Sequence, residues 1–261
     1  MIQFTPMRTK RLTVDLRELS IDDAEALCLM PESLDQAGTT AMLNRIVLDG
    51  GRPFPGQEAD PRQWTVQERT FVMAHYMAHT TSDGSPDFAV ASGKFSDYLL
   101  DGTDYIEEIS LGVIDGEEIL MRPLLGYQAE AIERMLLSGR FRANRLSWWA
   151  AAMACQMRPA NEEPKEGLSD ADYAEWLAVR TEVIRELPES EFAELLFAFL
   201  DGTERLAHFF RIVFADDGIA VSPKPVEEGE VSGLPPARFP VRSTISESSL
   251  QILGIAIESE G

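Results

Sequence analysis

The sequence predicts an α+β protein that is mainly α, with a helical core, an N-terminal strand, a β-hairpin and an extended C-terminal arm. Residues 11–19 alternate apolar and polar side chains, which is the period of a half-buried strand. Residues 105–124 contain two β-prone runs on either side of Asp115-Gly116, a pair that supplies the positive φ of a tight turn. From residue 126 onward, apolar side chains recur at helical spacing.

The first helices are indicated by their start and stop signals. Ser20, with Asp23 three residues later, predicts a capped short helix that Pro31 ends. A second helix is expected over residues 39–48, before the glycines and prolines of a loop over residues 50–63.

The middle of the chain predicts three more helices. Thr65 and Glu68 form a capping box that opens a largely apolar helix extending to about residue 79. A helix follows the hairpin and ends at Gly139. The next, over residues 144–157, is apolar nearly all round, which is typical of a helix at the centre of a core.

The last helices follow a polar linker at residues 159–168, which is the best candidate for a domain boundary. Ser169 opens one helix and Pro188 precedes another helical segment, which Asp201-Gly202 could divide in two. Two amphipathic helices joined by a short turn indicate a helical hairpin. We therefore predict three parts: an α+β domain over residues 1–158, a helical hairpin packing on it over 169–215, and an arm with a terminal strand over 216–261.

The C-terminal arm is predicted from its composition. Residues 216–249 contain five prolines and few helix formers, whereas residues 250–257 are apolar and β-prone. This terminal strand either completes the chain's own sheet or adds to a sheet of another chain. In the second case the partner-binding residues are Leu250, Ile252, Leu253, Ile255 and Ile257.

Charge and hydropathy exclude several classes of function. The chain has 44 acidic and 23 basic residues and a formal charge of -21, so it repels phosphate backbones and we expect no nucleic-acid partner. The N-terminus lacks the apolar region of a signal peptide, and the longest apolar stretches are shorter than a membrane span, so we expect no membrane partner. Cys28 and Cys155 lie among apolar residues and are expected to be buried thiols.

His75 and His79 are the metal candidates, because histidines four residues apart on a helix can bind one ion. The position after the first histidine, which a zinc hydrolase fills with a glutamate base, is Tyr76. A third ligand could come from Asp83 or Asp87 in the following loop. We interpret the pair as part of the scaffold and predict no metal, no cofactor and no catalytic residue.

The other residues that could take part in catalysis or ligand binding are expected to pack in the core. His208 lies on an apolar segment and is expected to be packed rather than to act as a base. Motifs of serine hydrolases and of phosphate-binding loops are missing from the sequence. The aromatic residues could line a ligand pocket, but burial in a core is their commoner use. They are Trp148, Trp149, Phe192, Phe197, Phe199, Phe209 and Phe210.

Three stretches carry a resemblance to a family. They are "RTKRLTVDLRELSIDDAEALC", "WTVQERTFVMAHYMAH" and "ISLGVIDGEEILMRPLLGYQAEAIERM". This order of strand and helix, capped helix, and hairpin leading into a helix resembles small structural and assembly proteins encoded among the tail and baseplate genes of tailed bacteriophages. The resemblance covers residues 8–135, about half of the chain, and brings no catalytic residues with it.

The resemblance implies a structural or interaction protein, a subunit of a phage tail or baseplate that assembles through its C-terminal arm. Its partners would be other protein subunits of the same assembly, in a homo- or hetero-oligomer. It would be located in the virion after synthesis in the host cytoplasm. Two alternatives stay open, a tail assembly chaperone and a metal-dependent enzyme that uses His75 and His79.

Overall fold

The computed structural model describes residues 2–49, 58–80, 85–102, 104–225 and 233–255. In this part of the chain the helices are α1 (Ile21–Cys28), α2 (Asp35–Ile46), α3 (Val66–Thr80), α4 (Gly126–Leu137), α5 (Arg145–Gln156), α6 (Asp170–Arg185), α7 (Glu189–Arg205), α8 (Val241–Thr244) and α9 (Glu247–Ile252). None of these helices has both the length and the apolar character needed to cross a membrane.

The strands form small antiparallel sheets. One sheet has the order β1 (Met7–Arg8), β2 (Thr13–Leu16) and β3 (Val47–Asp49), and another has the order β6 (Ile109–Ile114), β7 (Glu117–Met121) and β8 (Met157–Pro159). Two hairpins complete the set, β4 (Ala89–Val90) with β5 (Gly93–Lys94) and β9 (Arg211–Ala215) with β10 (Gly218–Ser222). The predicted α+β, mainly α class is confirmed.

Local signals place several elements where the sequence predicts them. The Ser20 hydroxyl accepts the Asp23 N–H, and the Asp23 carboxylate accepts the Ser20 N–H in return. The Thr65 and Glu68 side chains cap α3 by the same exchange. At the β6–β7 turn, Asp115 has a φ of 52°, as the predicted hairpin requires.

Helix α2 begins at Asp35, earlier than the predicted start at residue 39. Its cap comes from another helix, because the Glu133 carboxylate of α4 accepts the N–H groups of Gln36 and Ala37 at 2.8 and 3.2 Å. These groups at the helix N-terminus would otherwise lack acceptors. A cap that is supplied from almost a hundred residues away leaves no local sequence signal.

Two hydrophobic clusters share helix α3. Its Val72, Met73 and Tyr76 side chains pack into an N-terminal cluster with α1, α2 and the β1–β2–β3 sheet. Its Val66 and Ala74 side chains pack into a larger central cluster. The central cluster draws apolar residues from position 66 to position 239, so the segments before and after the 159–168 linker pack together.

Helix α5 lies at the centre of the larger cluster, as its apolar sequence predicts. Trp148 and Met153 are buried, and so is the run of alanines between them. The helix contacts α4 and α6, and also α7 and β9. Leu146 is an exception to the predicted core face and remains 42% exposed.

Helix α7 corrects the prediction for residues 188–214. It continues through Asp201-Gly202 and ends at Arg205, and residues 211–215 form strand β9 instead of more helix. Gly202 allows α7 to lie close to the β6–β7 hairpin, since a Cβ at this position would overlap Met121 Sδ and come within 2.7 Å of Leu111. The glycine therefore serves a close approach rather than a break.

The predicted extended arm over residues 216–261 is also corrected. Residues 216–222 form the turn and second strand of the β9–β10 hairpin, and Val221 pairs with Ala237 in an isolated bridge. Ile219 and Val221 are buried in the central cluster, and Ile245 is buried in the N-terminal one. Much of the segment therefore completes the two cores.

The predicted terminal strand over residues 250–257 is wrong for residues 250–252, which belong to α9. Ser246 caps this helix by accepting the Ser249 N–H. The Leu253 N–H then bonds to the Ser249 carbonyl as the helix ends. The start signal is the same type that opens α1 and α6, and it outweighs the β-propensity of the isoleucines that follow.

Candidate functional site

The histidine pair of α3 holds the N-terminal segment. The His75 ring donates from Nε2 to the Thr5 carbonyl at 2.8 Å, and the Thr5 N–H points to His79 Nε2 at 3.5 Å. His79 in turn donates from Nδ1 to the His75 carbonyl at 2.9 Å, and Phe4 stacks on Tyr76. Both rings are thus engaged in packing contacts.

The surroundings of this pair do not assemble a metal site among the described residues, where no group of three or more His, Cys, Asp or Glu side chains is placed to hold an ion. Of the two candidate third ligands, Asp87 accepts the Ser96 N–H and hydroxyl at 2.8 and 3.0 Å, and Asp83 lies outside the described residues. Burial lowers the pKa of His75, which favours the neutral ring that its hydrogen bond uses.

His208 pairs with the hydroxyl of Thr65 in a geometry that a nucleophile and its base would also adopt. The two atoms, His208 Nε2 and Thr65 Oγ1, are 2.9 Å apart, and His208 Nδ1 donates to the Leu206 carbonyl. Both residues are fully buried. Burial lowers the pKa of His208 to about 4, and the neutral imidazole accepts the hydroxyl proton of the residue that caps α3.

Arg69 is a fully buried guanidinium at the junction of α2, α3 and α4. Its Nη2 donates to the Gln36 carbonyl at 2.6 Å and to the Thr40 hydroxyl at 2.8 Å. Burial lowers its pKa to about 10, so the group remains charged at neutral pH, with Glu130 and Glu133 among the acids that favour this charge. Its Nε and Nη1 have no hydrogen-bond partner among the described residues.

Space for this guanidinium is provided by Gly126, the first residue of α4. A Cβ at that position would overlap Arg69 Nη1. Burial raises the pKa of Glu133 to about 7, even though two backbone N–H groups of α2 oppose that rise. This buried ionic cluster joins helices α2, α3 and α4.

A polar cavity of about 300 Å³ lies beside α4, α5 and α6. Its aromatic wall is made by Tyr127, Tyr173 and Trp176. The ring centroids of Tyr127 and Tyr173 are 5.1 Å apart, and those of Tyr173 and Trp176 are 5.2 Å apart. The Tyr173 hydroxyl is buried and has no hydrogen-bond partner among the described residues. Burial raises the pKa values of both tyrosines, to about 12 for Tyr127, so both are neutral.

The arginines around this cavity are already paired with acids of the same chain. Arg122 and Arg158 both donate to the Glu108 carboxylate at 2.8 Å. Arg180 donates to Glu162 at 2.9 Å. Because these cations are neutralised internally, the cavity has no charge excess that would select an anionic ligand.

An apolar groove lies between α6 and α7. Helix α6 packs mainly on α4 and α5, whereas α7 packs on β6, β9 and α5, so the two helices of the predicted hairpin diverge from the turn at Leu187-Pro188. A groove of about 420 Å³ along α6 is bounded by side chains that are almost all apolar, from α6, α5 and the β7–β8 strands, with Leu195 as the single contribution of α7. Residues that define this α6–α7 groove are Ile119, Met157, Trp176, Val179, Val183 and Leu195.

Helix α6 is apolar on two faces, and only one of them is covered. Tyr173, Leu177 and Ile184 are buried in the central cluster. Val179 and Val183, one turn apart along the groove, are 50% and 57% exposed. Apolar residues on a helix are expected on its buried side, so this second stripe marks a surface that lacks a covering element among the described residues.

Acidic residues are common on helices α6 and α7. Residues 169–205, which contain both helices, hold ten acidic and three basic side chains. Glu186 lies one turn beyond Val183 on α6, and Glu191 lies one turn before Leu195 on α7; both glutamates are exposed. The residues that line the groove itself include Arg158 and Arg180 and no acid.

The C-terminal residues that the sequence nominates for partner binding are used differently. Leu250, Leu253 and Ile255 pack against the N-terminal cluster of the same chain. Ile252 is 74% exposed, and Ile257 lies outside the described residues. Only Ile252 of this set is thus placed at the surface by the described structure.

Sequence reasoning missed the groove because residues 169–215 were predicted to form a helical hairpin that packs on the N-terminal domain. The signal for the groove in the sequence was the pair Val179 and Val183, which lie outside the face of α6 that packs into the core. It also missed Arg69, Glu130 and Glu133, whose signal is charge within an apolar helix pattern. Comparison with protein-family models, with curated proteins and with solved structures finds no match for this chain.

Proposed function

We propose that this chain is a structural or interaction protein, a subunit of a phage tail or baseplate, and that it binds a neighbouring protein through the α6–α7 groove. The single observation that carries the proposal is the exposed apolar stripe of α6 beside an open groove of about 420 Å³. Covering one half-exposed valine contributes roughly 1 kcal/mol.

The groups that could have performed chemistry support this proposal by their structural use. His75 and His79 hold the N-terminal segment, and His208 bonds to the residue that caps α3. Arg69 and Glu133 fix the packing of three helices. These charged and imidazole groups are used for contacts inside the fold, which is consistent with a protein that acts by binding other proteins.

The proposed contact differs from the C-terminal arm that the sequence suggested. Leu250 and Leu253 already pack on the chain's own N-terminal cluster, so using them on a partner would require leaving that contact. Val179 and Val183 are available without any rearrangement. The phage assignment itself depends on the resemblance over residues 8–135.

The test is the presence of the chain in finished particles. Tails purified from the phage that encodes the chain are analysed by quantitative mass spectrometry, and the chain is co-expressed with the products of the genes on either side of its own. We expect a fixed copy number per tail and a stable complex with at least one neighbour. Binding to a neighbour with no copies in the tail would instead support the assembly chaperone, and neither binding nor incorporation would refute the proposal.

A further inference from the structure

We propose that the polar cavity beside α4, α5 and α6 binds an uncharged sugar. This inference does not depend on the proposed function. The cavity measures about 300 Å³, which is at the lower end of the volumes of small-molecule sites, roughly 300 to 1,000 Å³. Its wall is drawn from segments that are far apart in the chain, from Arg11 to Arg180, so the fold as a whole shapes it.

The charges around the cavity favour a ligand without charge. Five basic and five acidic residues line it. Every one of the five bases makes an ion pair with an acid of the same chain, for example Arg11 with Glu68 and Lys165 with Glu162. An anion would have to displace an internal acid, and a cation would meet as many bases as acids, so a neutral molecule binds at the lowest cost.

Two uncharged polar side chains of the wall have no partner in the fold. Gln156 is only 7% exposed, and its side-chain amide makes no hydrogen bond among the described residues. The Tyr173 hydroxyl is likewise buried without a partner in this part of the chain. Gln128, another polar residue of the wall, is already used, because its amide accepts the Leu125 N–H and donates to the Cys155 carbonyl. A buried polar group without a partner is costly, and a ligand in the cavity would satisfy it.

The free groups require a ligand that both donates and accepts hydrogen bonds. The Gln156 amide offers a carbonyl oxygen and an NH₂ group, and the Tyr173 hydroxyl can act in either direction. Arg158 adds a donor, since its Nε has no hydrogen-bond partner among the described residues. A sugar hydroxyl donates and accepts at once, so several hydroxyls on one small ring match this mixture of groups.

The aromatic rings favour a sugar over a flat aromatic ligand. Tyr127 and Tyr173 lie at 69° to each other, and Tyr173 and Trp176 lie at 44°, so neither pair forms a parallel slot. The Arg180 guanidinium lies over the Trp176 ring at 5.6 Å from its centroid. A nucleobase needs parallel or free ring faces for stacking, whereas a saturated ring can place its C–H groups against tilted rings and keep its hydroxyls for the polar wall.

The experiment measures ligand binding to the full chain by saturation-transfer-difference NMR. The probes are glucose, galactose, mannose and N-acetylglucosamine. Three comparison compounds test the class of ligand: glucuronate is an anion, glucosamine in its protonated form is a cation, and adenine is a flat base. We expect at least one of the uncharged sugars to bind about 10-fold more tightly than any comparison compound. Added salt should have little effect on that affinity, because the ligand has no charge to screen.

Matched variants locate the binding. Gln156→Leu and Tyr173→Phe each remove one uncharged polar group, and we expect each to weaken sugar binding about 5-fold. The controls are Gln67→Leu and Tyr98→Phe, which remove the same groups from buried residues that do not line the cavity. Neither control should change the affinity.

Thermal stability gives a second readout. Tyr98 donates its hydroxyl to the Pro235 carbonyl at 2.8 Å, so Tyr98→Phe should lower the melting temperature. Tyr173→Phe removes a hydroxyl that has no partner among the described residues, so it should leave the melting temperature unchanged or raise it.

The inference would be overturned if none of the four sugars bound, or if glucuronate, glucosamine or adenine bound as tightly as the best sugar. Unchanged affinity of Gln156→Leu or of Tyr173→Phe would overturn it as well. A fall in melting temperature for Tyr173→Phe as large as that for Tyr98→Phe would show that this hydroxyl serves the fold and not a ligand. Circular dichroism of each variant confirms that it is folded before its affinity is interpreted.

Discussion

At the scale of single residues, this protein buries several polar and charged side chains in its core. His208 is fully buried and neutral, and its two ring nitrogens bond to Thr65 and to the Leu206 carbonyl. Arg69 is buried and charged. Such groups are costly to bury unless they are hydrogen-bonded, as both ring nitrogens of His208 are and as Nη2 of Arg69 is.

The pKa of His208 predicts a loss of stability in acid. It is about 4 in the folded chain and 6.5 in the unfolded chain, so the unfolded chain binds more protons between these values. Stability is fully present above pH 6.5 and is lost as the pH falls toward 4, by roughly 3 kcal/mol in total. Urea unfolding of the wild type and of His208→Gln at several pH values measures this.

The variant cannot titrate at this position, so we expect the stability difference between the two proteins to shrink as the pH falls. Parallel profiles would contradict the assignment. The wild-type profile alone would not isolate His208, because Glu133 also titrates in this range. Its pKa is raised to about 7 in the folded chain, so its contribution lowers the stability as the pH rises from 4.5 to 7.

The close contact between Gly126 and Arg69 leads to a second prediction about stability. Gly126→Ala would place a Cβ on the Arg69 guanidinium, and we expect it to lower the free energy of unfolding by roughly 1 to 3 kcal/mol. Gly102→Ala is the matched control, because a Cβ there meets nothing within 4 Å, and its effect should stay within about 0.5 kcal/mol. Chemical denaturation of both variants tests this, and equal effects would argue against the clash.

At the scale of elements, local signals predict the structure well where they act alone. Capping boxes at Ser20 and Thr65 and the Asp115-Gly116 turn all lie where the sequence places them. Prediction failed at Gly202 and at residues 250–252. A glycine in a helical pattern indicates either a break or a close approach, and only the position of the β6–β7 hairpin decides between them.

The close approach at Gly202 predicts a response opposite to helix propensity. Alanine is the better helix former by about 1 kcal/mol, yet we expect Gly202→Ala to destabilise the protein, since overpacking costs roughly 1 to 3 kcal/mol. Leu111→Ala should reduce that cost by making room for the methyl group. Unfolding free energies of the two single variants and the double variant form a cycle, and a stabilised Gly202→Ala would show that the contact is loose.

At the scale of the whole molecule, the sequence predicts the fold class but not how distant segments meet. The two clusters that share α3 draw on residues far apart in the chain, and no local pattern records such pairings. The α6–α7 groove could not be predicted for the same reason, because it arises from where α6 and α7 each find their own partners. Residues 216–261 were predicted to form an extended arm because prolines separate the short apolar runs, yet several of those apolar residues are buried.

Truncation tests this view of the C-terminal segment. A chain that ends at Ala215 lacks β10 and the buried Ile219, Val221 and Ile245, so we expect it to lose cooperative unfolding. A chain that ends at Ser246 keeps these residues and should remain folded with a lower melting temperature. Thermal denaturation followed by circular dichroism distinguishes them, and a cooperative transition in the shorter chain would show that the residues after Ala215 are not needed for folding.

The N-terminal cluster joins residues near the two ends of the described chain. Leu12 and Val14 share it with Ile245, which the ribosome adds more than two hundred residues later. At ordinary elongation rates this interval lasts roughly 10 to 50 s. During that time the part of the N-terminal cluster that Ile245 covers stays exposed, so nascent copies on one messenger can adhere to one another. The yield of folded protein in cells should therefore depend on translation speed and on chaperones that bind nascent chains, even when the finished molecule is stable.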